Sequence, residues 1–469
     1  MRYVSTRGTA PVLGFEDVLL TGLARDGGLY VPETWPQLTV DEIRAFAGRP
    51  YEEVAYEVMR PFVGDEVPGD AFKSIIDEAY GTFSHRAVAP LVQLGSADWL
   101  LELFHGPTLA FKDVAMQVLA RLMDGALARR GARATIVCAT SGDTGGAAVE
   151  AFRGRDSIDI VVLHPHGRVS DVQRRQMTTA QEDNVHNIAI EGTFDDCQAL
   201  VKALFNNSEV REKLALSGVN SINWARIMAQ TVYYFTAAVA LGAPERRVSF
   251  CVPTGNFGDI LAGYVAKRMG LGVERLVIAS NVNDILARVL ETGRYELDTV
   301  AATMSPSMDI QVSSNFERLL FEAHGRDGGA VIRLMDGLKQ SGSFTLEPPA
   351  LAAIRRDFEA ERSNEVETAE MMRQTFTRSG YIADPHTAVG LRVAARKRGD
   401  RATPMVVLAT AHPAKFPEAV KECTGEMAKL PKRVSNLYEC EERIDVLAND
   451  FDTVRRFIED RSRAARAPV

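Results

Sequence analysis

Apolar residues near the N-terminus recur at the spacing of amphipathic helices. The clearest cases are Phe15 to Leu23 and Asp70 to Tyr80, and the glycine-containing run Asp26-Gly27-Gly28-Leu29 between them predicts a turn. The pattern changes after Pro90, where helical spacing no longer dominates. Residues 1–90 are therefore predicted to form a separate, mostly helical unit.

Beyond Pro90, short β-branched apolar runs alternate with helical segments. The runs read as strands, each followed by a polar or glycine-containing turn: Ala134–Ala139, Ile158–Leu163, Asn187–Ile190, Val248–Val252, Leu276–Ala279 and Met405–Ala409. Strands separated by helices favour parallel sheets that are covered by helices on both faces, so the predicted fold class is α/β. Ligands bind such sheets at the C-terminal ends of the strands, which makes the turns after these strands the expected site.

The same pattern divides the remainder of the chain into three segments. Residues 91–245 and 246–425 are predicted to form two α/β regions, and Pro348 to Ser379 within the second is charged and helical in pattern. Residues 426–469 are polar and are predicted to form a C-terminal helical tail. A chain of 469 residues is long enough for two or three domains.

Composition narrows the class of protein without identifying its activity. Charged residues make up 25% and hydrophobic residues 46% of the chain, a balance typical of a soluble globular protein. The net charge of −8 does not indicate the basic surface of a nucleic-acid-binding protein. The N-terminus lacks the apolar core of a signal peptide, and no stretch approaches the roughly 18–20 apolar residues of a membrane span, so no membrane partner is expected.

The five cysteines are widely spaced, and no Cys-x-x-Cys pair occurs. Cys138 and Cys251 fall inside apolar strand-like runs and are interpreted as small core residues. This usage suits a reducing compartment, so a cytoplasmic location is expected. We expect no disulfide framework and no metal site, because the eight histidines are scattered and the His-Glu-x-x-His motif is absent.

Two strand–turn–helix units share one design. After the first and the fourth predicted strands come Thr140-Ser141-Gly142-Asp143-Thr144-Gly145-Gly146 and Pro253-Thr254-Gly255-Asn256-Phe257-Gly258-Asp259. Glycines let backbone amides converge, and the helix that follows adds its unpaired N–H groups and positive dipole end, which together suit an anion such as phosphate. An ordinary βα turn is the alternative for each unit, and neither matches a Walker loop or the Gly-x-Gly-x-x-Gly fingerprint.

Two single residues carry candidate chemistry. Lys112 lies between the apolar Leu109-Ala110-Phe111 and a run with helical apolar spacing that begins at Val114. Such a lysine either extends along a helix face to water or is buried, and burial lowers the pKa of the amine enough for it to form a Schiff base. Thr410 follows a buried strand, where its hydroxyl either points into the crevice or caps the next turn.

In combination these segments resemble the threonine synthase family, in its longer bacterial and fungal form, nearly from end to end. The matching runs are Tyr3–Gly8, Asp26–Pro32, Phe104–Asp113, Thr140–Gly145, Ser221–Arg226, Pro253–Asp259, Ser305–Ile310, Asp384–Gly390 and Ala409–Lys415. The resemblance implies a fold type II pyridoxal-phosphate enzyme, similar to tryptophan synthase β, with two parallel-sheet domains covered by helices and a small N-terminal helical unit. It also implies pyridoxal 5'-phosphate as the cofactor.

The resemblance assigns a role to each candidate residue. Lys112 is implied to form the Schiff base and to act as the general base, Gly255-Asn256-Phe257-Gly258-Asp259 to hold the cofactor phosphate, and Thr410 to contact the pyridine nitrogen. Ser141-Gly142-Asp143-Thr144 is implied to face the substrate from the smaller domain, which lies within residues 91–245, while residues 246–425 form the larger cofactor-binding region. Asn223 and Arg226 are further candidates for the substrate site.

The implied reaction is the conversion of O-phosphohomoserine and water to threonine and phosphate. A phospho-lyase on the same scaffold, which releases 2-oxobutyrate, ammonia and phosphate, is the nearest alternative. A nucleotide-dependent phosphotransferase would use the two glycine turns differently, but its motifs are missing. A binding protein without catalysis would not need Lys112. The sequence leaves the oligomeric state open between a monomer and a homodimer.

Overall fold

The computed structural model describes residues 1–466, and its first segment is built from short helices around a two-stranded ribbon. The elements of this segment are β1 (Tyr3–Ser5), α1 (Phe15–Thr21), β2 (Tyr30–Pro32), α2 (Val40–Arg44), α3 (Tyr51–Val63) and α4 (Gly69–Tyr80). β1 and β2 pair antiparallel. Helices make up most of the regular secondary structure of this segment, and its core is shared with the rest of the chain, because the rings of Phe62 and Trp224 pack with their centres 5.7 Å apart.

The middle of the chain alternates strands and helices. Its elements are β3 (Leu91–Gln93), β4 (Asp98–Glu102), α5 (Lys112–Arg129), β5 (Ala134–Ala139), α6 (Asp143–Phe152), β6 (Ile158–Pro165), α7 (Asp171–Thr178), β7 (Val185–Glu191), α8 (Phe194–Asn206), α9 (Ser208–Lys213), β8 (Leu216–Ser217) and α10 (Trp224–Ala240). Helix α6 begins at Asp143, four residues before the predicted Ala147, so the first turn of the helix lies inside the glycine-rich turn.

The remaining elements continue the alternation and end in a short helical segment. They are β9 (Val248–Pro253), α11 (Gly258–Arg268), β10 (Val273–Ser280), α12 (Ile285–Thr292), β11 (Arg294–Glu296), α13 (Phe316–Ala323), α14 (Gly328–Ser341), β12 (Ser343–Thr345), α15 (Pro348–Asp357), β13 (Phe358–Arg362), α16 (Glu365–Ser379), α17 (Pro385–Arg396), β14 (Met405–Ala409), α18 (Pro417–Thr424), β15 (Asp445–Ala448), α19 (Phe451–Arg461) and α20 (Arg463–Arg466). Single turns of 3₁₀-helix occur at Pro306–Met308, Pro413–Lys415 and Lys432–Val434.

Two sheets organise these elements. The larger has six strands in the order β13-β10-β9-β14-β4-β3, and all of them are parallel except the edge strand β3. The smaller has five parallel strands in the order β15-β7-β6-β5-β8. Every residue of β6 is buried, as expected for a strand with both faces covered. The predicted α/β class with two parallel sheets is confirmed.

Nine of the fifteen strands within residues 1–466 were not predicted from the sequence, and four of these change the predicted organisation. β3 and β4 belong to the larger sheet, although residues 91–245 were assigned to one region and 246–425 to the other. β13 interrupts the segment predicted as helical because Phe358 to Arg362 pairs with β10. β15 lies within the predicted helical tail and pairs with β7, so only part of that tail is helical. Residues 467–469 of the tail lie outside the described part of the chain.

No helix within residues 1–466 is long and apolar enough to cross a lipid bilayer.

Candidate active site

The larger sheet places two candidate segments side by side. β9 and β14 are parallel neighbours, with Ser249 opposite Met405 and Cys251 opposite Val407. Their C-terminal ends therefore lie at the same edge, so the Pro253 to Asp259 turn and Thr410 follow adjacent strands. Phe111 is joined to this edge by its backbone N–H, which donates to the carbonyl oxygen of Thr410 at 2.8 Å. That bond brings Lys112, the next residue, to the same place.

The backbone conformation of the Pro253 to Asp259 turn suits the binding of an anion. A Cβ atom on Gly255 would lie 2.7 Å from the backbone carbonyl oxygen of Ser307, so no larger residue fits without movement. Phe257, the residue before α11, has a φ of 62°, in the left-handed region. Its ring is buried against Phe316 and Phe358, and this packing holds a strained backbone in place.

A neighbouring loop holds the carbonyl groups of this turn. The Ser313 hydroxyl donates to the Gly255 carbonyl at 2.7 Å, and the backbone and side-chain N–H groups of Asn315 donate to the Asn256 carbonyl at 3.1 and 3.0 Å. Helix α11 starts at Gly258, and the first N–H groups of a helix have no partner within it. The turn can therefore offer these donors, together with the positive end of the helix dipole, to a phosphate.

The Asp259 side chain faces the protein interior. Its Oδ1 accepts hydrogen bonds from the hydroxyl groups of Tyr233 and Tyr234, and its Oδ2 has no partner in the described part of the chain. Burial raises the pKa of this carboxyl group to about 7, although the two tyrosine hydrogen bonds oppose the rise. Asp259, one of the predicted phosphate-binding residues, can therefore contribute only its backbone to phosphate binding. Its side chain connects α11 to α10.

This raised pKa predicts a pH dependence of stability. Between about 3.8, the ordinary value, and about 7, the folded protein keeps a proton on Asp259 that the unfolded chain has lost. The stabilisation from this bound proton is complete below pH 3.8. It falls by up to about 1.4 kcal/mol per pH unit between the two pKa values and is lost once the pH has risen through 7. Asp259→Asn, which still accepts from both tyrosines, should flatten this decline in urea unfolding of the cofactor-free protein. The same substitution at the exposed Asp336 should leave the slope unchanged, and an unchanged slope in the Asp259 variant would contradict the assignment.

Lys112 is the first residue of α5 and is buried. Its Nζ lies 3.7 Å from Oδ2 of Asp143 and 5.4 Å from the centre of the Phe111 ring. Burial lowers the pKa of the amine, Asp143 opposes that shift, and the charges of Lys415 and Arg226 add to it. The N-terminal end of a helix also disfavours a positive charge. Lys112 is therefore a buried amine, as one of the two sequence interpretations required, and not a lysine that extends to water.

Asp143 links the two sheets at this point. It is the first residue of α6, which follows β5 of the smaller sheet, and its Oδ1 lies 2.7 Å from Nζ of Lys415 and accepts from the Gln173 amide at 2.8 Å. Lys415 lies in the 3₁₀ turn after β14 of the larger sheet. Neither Lys415 nor Gln173 is among the residues predicted from the sequence. The only signal for Lys415 was its position at the end of the matching run Ala409–Lys415.

The turn before Asp143 has its own geometry. The Thr140 hydroxyl accepts from the backbone N–H groups of Gly142 and Gly145 at 3.0 and 2.9 Å, which closes the turn. Gly142 has a φ of 148°, and a Cβ there would lie 2.5 Å from the Gln173 side chain. Ser141 is exposed and Thr144 is half-buried. Both hydroxyl groups therefore remain accessible at the edge of the smaller sheet, while Asp143 is directed at the two lysines.

Asn223 and Arg226 occupy the start of α10 and differ in their partners. The Asn223 side chain caps the helix by accepting from the Ala225 N–H and donates to the Leu19 carbonyl at 2.9 Å, so its amide group is committed to the fold. Arg226 is also buried, and burial lowers the pKa of its guanidinium group to about 10. One of its N–H groups donates to Val219, but Nε has no partner within residues 1–466. Arg226 thus supplies an incompletely paired cation near Lys112.

Three family models match the chain in sequence. Residues 2–80 match the model described as the threonine synthase N terminus, residues 84–411 that of the pyridoxal-phosphate dependent enzymes, and residues 387–458 that of the threonine synthase C-terminal region. The middle match covers more than half of the chain and contains Lys112, Asp143, both glycine turns and Thr410.

Individual relatives agree over nearly the full length. The chain is 55% identical to the threonine synthase of Pseudomonas aeruginosa over 98% of both chains, and 35% identical to the human threonine synthase-like 2 over 100% of this chain and 99% of that one. A solved structure of pyridoxal-phosphate-bound threonine synthase from Brucella melitensis superimposes with a TM-score of 0.97 at 62% identity, covering 99% of this chain and 100% of that one. The chain therefore belongs to the threonine synthase family, an enzyme of pyridoxal-phosphate fold type II with pyridoxal 5'-phosphate as its cofactor.

Proposed function

We propose that this protein converts O-phosphohomoserine and water to threonine and phosphate, and that Lys112 carries the cofactor and moves the protons. The observation that carries the proposal is a buried amine with a lowered pKa at the meeting point of two glycine-rich turns. One turn would hold the phosphate of the cofactor, and the other would face the substrate. Two anion sites around one nucleophilic amine match a reaction in which both cofactor and substrate carry a phosphate.

The residues at the edge of the larger sheet fit pyridoxal phosphate. The missing side chain of Gly255 and the free N–H groups at the start of α11 suit its phosphate, and Thr410 supplies a neutral hydroxyl rather than a carboxylate for its pyridine nitrogen. Lys112, attached to the same edge through the Phe111–Thr410 hydrogen bond, would form the covalent link. When bound, this cofactor withdraws electrons from the substrate carbon atoms next to the amino group.

Lys112 is suited to serve as the general base. The amine must be neutral to accept a proton from carbon, and burial lowers its pKa toward the working pH. Burial also excludes water that would otherwise compete for the proton. The same side chain can return a proton to the substrate later in the reaction, since it stays beside the cofactor edge throughout.

The substrate is expected to bind on the side of the smaller sheet. Ser141 and Thr144 present hydroxyl groups there, and the backbone N–H groups at the start of α6 add donors for a phosphate or a carboxylate. Arg226 supports the same assignment, because its unpaired Nε can donate to an anion that enters next to Lys112. Asn223 is not part of this proposal, since its amide group has two protein partners. Donors aimed at the leaving phosphate would stabilise the charge that develops on it.

The test is a product analysis with the purified protein loaded with pyridoxal phosphate. We expect O-phosphohomoserine to yield threonine and inorganic phosphate in equal amounts, measured by chromatography and a phosphate assay. Release of 2-oxobutyrate and ammonia with the phosphate would replace the synthase by a phospho-lyase on the same site. Phosphate transfer from ATP without any use of O-phosphohomoserine would overturn the proposal.

We also propose that the protein works in the cytoplasm. All five cysteines are free thiols, and four of them, including Cys138 and Cys251, are buried. Burial raises the pKa of the Cys251 thiol and raises that of Cys138 to about 12, so neither is poised to react. Unpaired structural cysteines of this kind suit a reducing compartment. Measuring the activity in fractionated cells would test the location.

A further inference from the structure

The carboxylate of Asp143 lies between two buried lysines. Its Oδ1 is 2.7 Å from Nζ of Lys415, and its Oδ2 is 3.7 Å from Nζ of Lys112. Lys112 comes from the start of α5, Asp143 from the start of α6, and Lys415 from the turn after β14. Three separate elements therefore bring one negative and two positive groups together at the candidate active site. Only one of the two amines is needed to carry the cofactor.

The two lysines differ in how firmly the protein holds them. Lys415 has no exposed surface, and its ammonium group also donates to the Thr108 carbonyl at 2.8 Å, so two acceptors fix it. Lys112 has a single longer contact with Asp143 and rests over the Phe111 ring. Lys415 is thus a fixed cation, and Lys112 is the amine that is free to react. Gln173 donates to the same Asp143 oxygen as Lys415, which further restricts the carboxylate.

We propose that Lys415 is a positioning residue of the reaction: its fixed ammonium group holds Asp143 against Lys112 and sets the electrostatic environment in which the Lys112 amine works. This inference rests on the proposed role of Lys112. It also gives Lys415 a second task, because the ion pair joins the larger sheet, through the turn after β14, to the first turn of α6 beside the smaller sheet.

The surrounding charges favour this arrangement. Burial alone would raise the pKa of Asp143, but Lys415, followed by Lys112, lowers it well below its usual range, so the carboxylate stays ionised. Asp143 raises the pKa of Lys112, whereas Lys415 and Arg226 of α10 lower it and so reinforce the effect of burial. On α5 itself, burial raises the pKa of Asp113. The hydrogen bond from the Thr108 hydroxyl and the positive charge of Lys415 oppose that rise. Asp143 raises the pKa of Lys112, and without Lys415 only burial and the charge of Arg226 would oppose that effect.

The first test is Lys415→Gln, which removes the charge and keeps a hydrogen-bonding side chain. We expect the variant to bind pyridoxal phosphate through Lys112. Because Gln173 still holds Asp143, loss of the nearby like charge should dominate and raise the pH at which the visible absorption changes by about one unit. The acidic limb of the turnover profile should move in the same direction. Both are measured on the loaded protein, and the absorption titration needs no substrate.

Asp143→Asn supplies a change of opposite sign. Because Asp143 raises the pKa of Lys112, its neutral replacement should lower the pH of the absorption change. Lys415→Arg keeps the charge and should shift the titration less than Lys415→Gln. Lys421→Gln, at an exposed lysine of α18, is the matched control and should leave the titration unchanged. A loss of packing alone would not move the two principal variants in opposite directions.

The outcomes separate this inference from the proposed function. If Lys112→Ala retains the visible band of the parent, the role of Lys112 fails first. If the band depends on Lys112 but Lys415→Gln titrates as the parent does, only the role of Lys415 is wrong. If Lys415→Gln does not fold, Asp143→Asn and Lys415→Arg decide: a raised pH of the absorption change in Asp143→Asn, or a shift in Lys415→Arg as large as that in Asp143→Asn, would overturn the proposal.

Discussion

Replacement of Lys112 by alanine should abolish both the visible absorption of the bound cofactor and the turnover of O-phosphohomoserine. The amine is the proposed covalent attachment point and also the proposed general base, so its loss removes two functions at once. We expect turnover to fall by more than about 10³-fold, since a positioned general base alone contributes roughly 10²–10⁴-fold. Absorption spectra and a phosphate-release assay measure the two effects.

The same variant should still bind pyridoxal phosphate without a covalent link. The Gly255–Asp259 turn and Thr410 do not depend on Lys112 for their conformation, because Ser313, Asn315 and the packing of Phe257 hold the turn. Equilibrium dialysis should therefore detect the cofactor in a protein without the band of the covalent complex. Lys421→Ala, at an exposed lysine, is the control and should behave as the parent. Full turnover by the Lys112 variant would disprove the central assignment.

Substitution of Gly255 by alanine should weaken the binding of the cofactor. The new Cβ would lie 2.7 Å from the Ser307 carbonyl oxygen, a backbone atom that can move only with its loop. Overpacking of this kind costs about 1–3 kcal/mol, so the dissociation constant of pyridoxal phosphate should rise by about 5- to 150-fold. Titration of the cofactor-free protein, followed by absorption, gives the constant.

A glycine at the opposite end of the same strands separates this effect from a general loss of stability. At Gly272, before β10, an added Cβ would meet only Arg247 Cγ at 3.7 Å, which is an ordinary contact. Gly272→Ala should bind the cofactor as the parent does, and both variants should be compared for thermal unfolding in the cofactor-free state. If Gly255→Ala binds with unchanged affinity, the Pro253 to Asp259 turn does not hold the phosphate.

The local pattern of the sequence was enough for the elements that surround the site. The predicted strands at Ala134–Ala139 and Met405–Ala409 match β5 and β14 residue for residue, and the others differ only at their ends. Such runs are buried on both faces and are bounded by polar or glycine-containing turns. Their hydrophobicity and these turns identify them without tertiary information. The glycine turns and Thr410 could be selected for the same reason, since each follows a recognisable strand, whereas Lys112 was selected as a lysine within an apolar run. The match of ordered motifs then supplied the family.

Tertiary structure decided what the side chains face. β13 is a run of Phe358-Glu-Ala-Glu-Arg whose composition suits a helix, and it becomes a strand because β10 offers a free edge. The Asp259 side chain points at two tyrosines rather than at the phosphate turn, and Asn223 caps a helix, because neighbouring elements supply partners that no local pattern reveals. The pairing of Asp143 with Lys415 joins residues far apart in sequence through the turn of one sheet and the helix of the other. Burial of that pair, and with it the lowered pKa of Lys112, exists only where the two sheets meet. The sequence could therefore select Lys112, Asp143 and Arg226 as candidates, but not the pairing with Lys415.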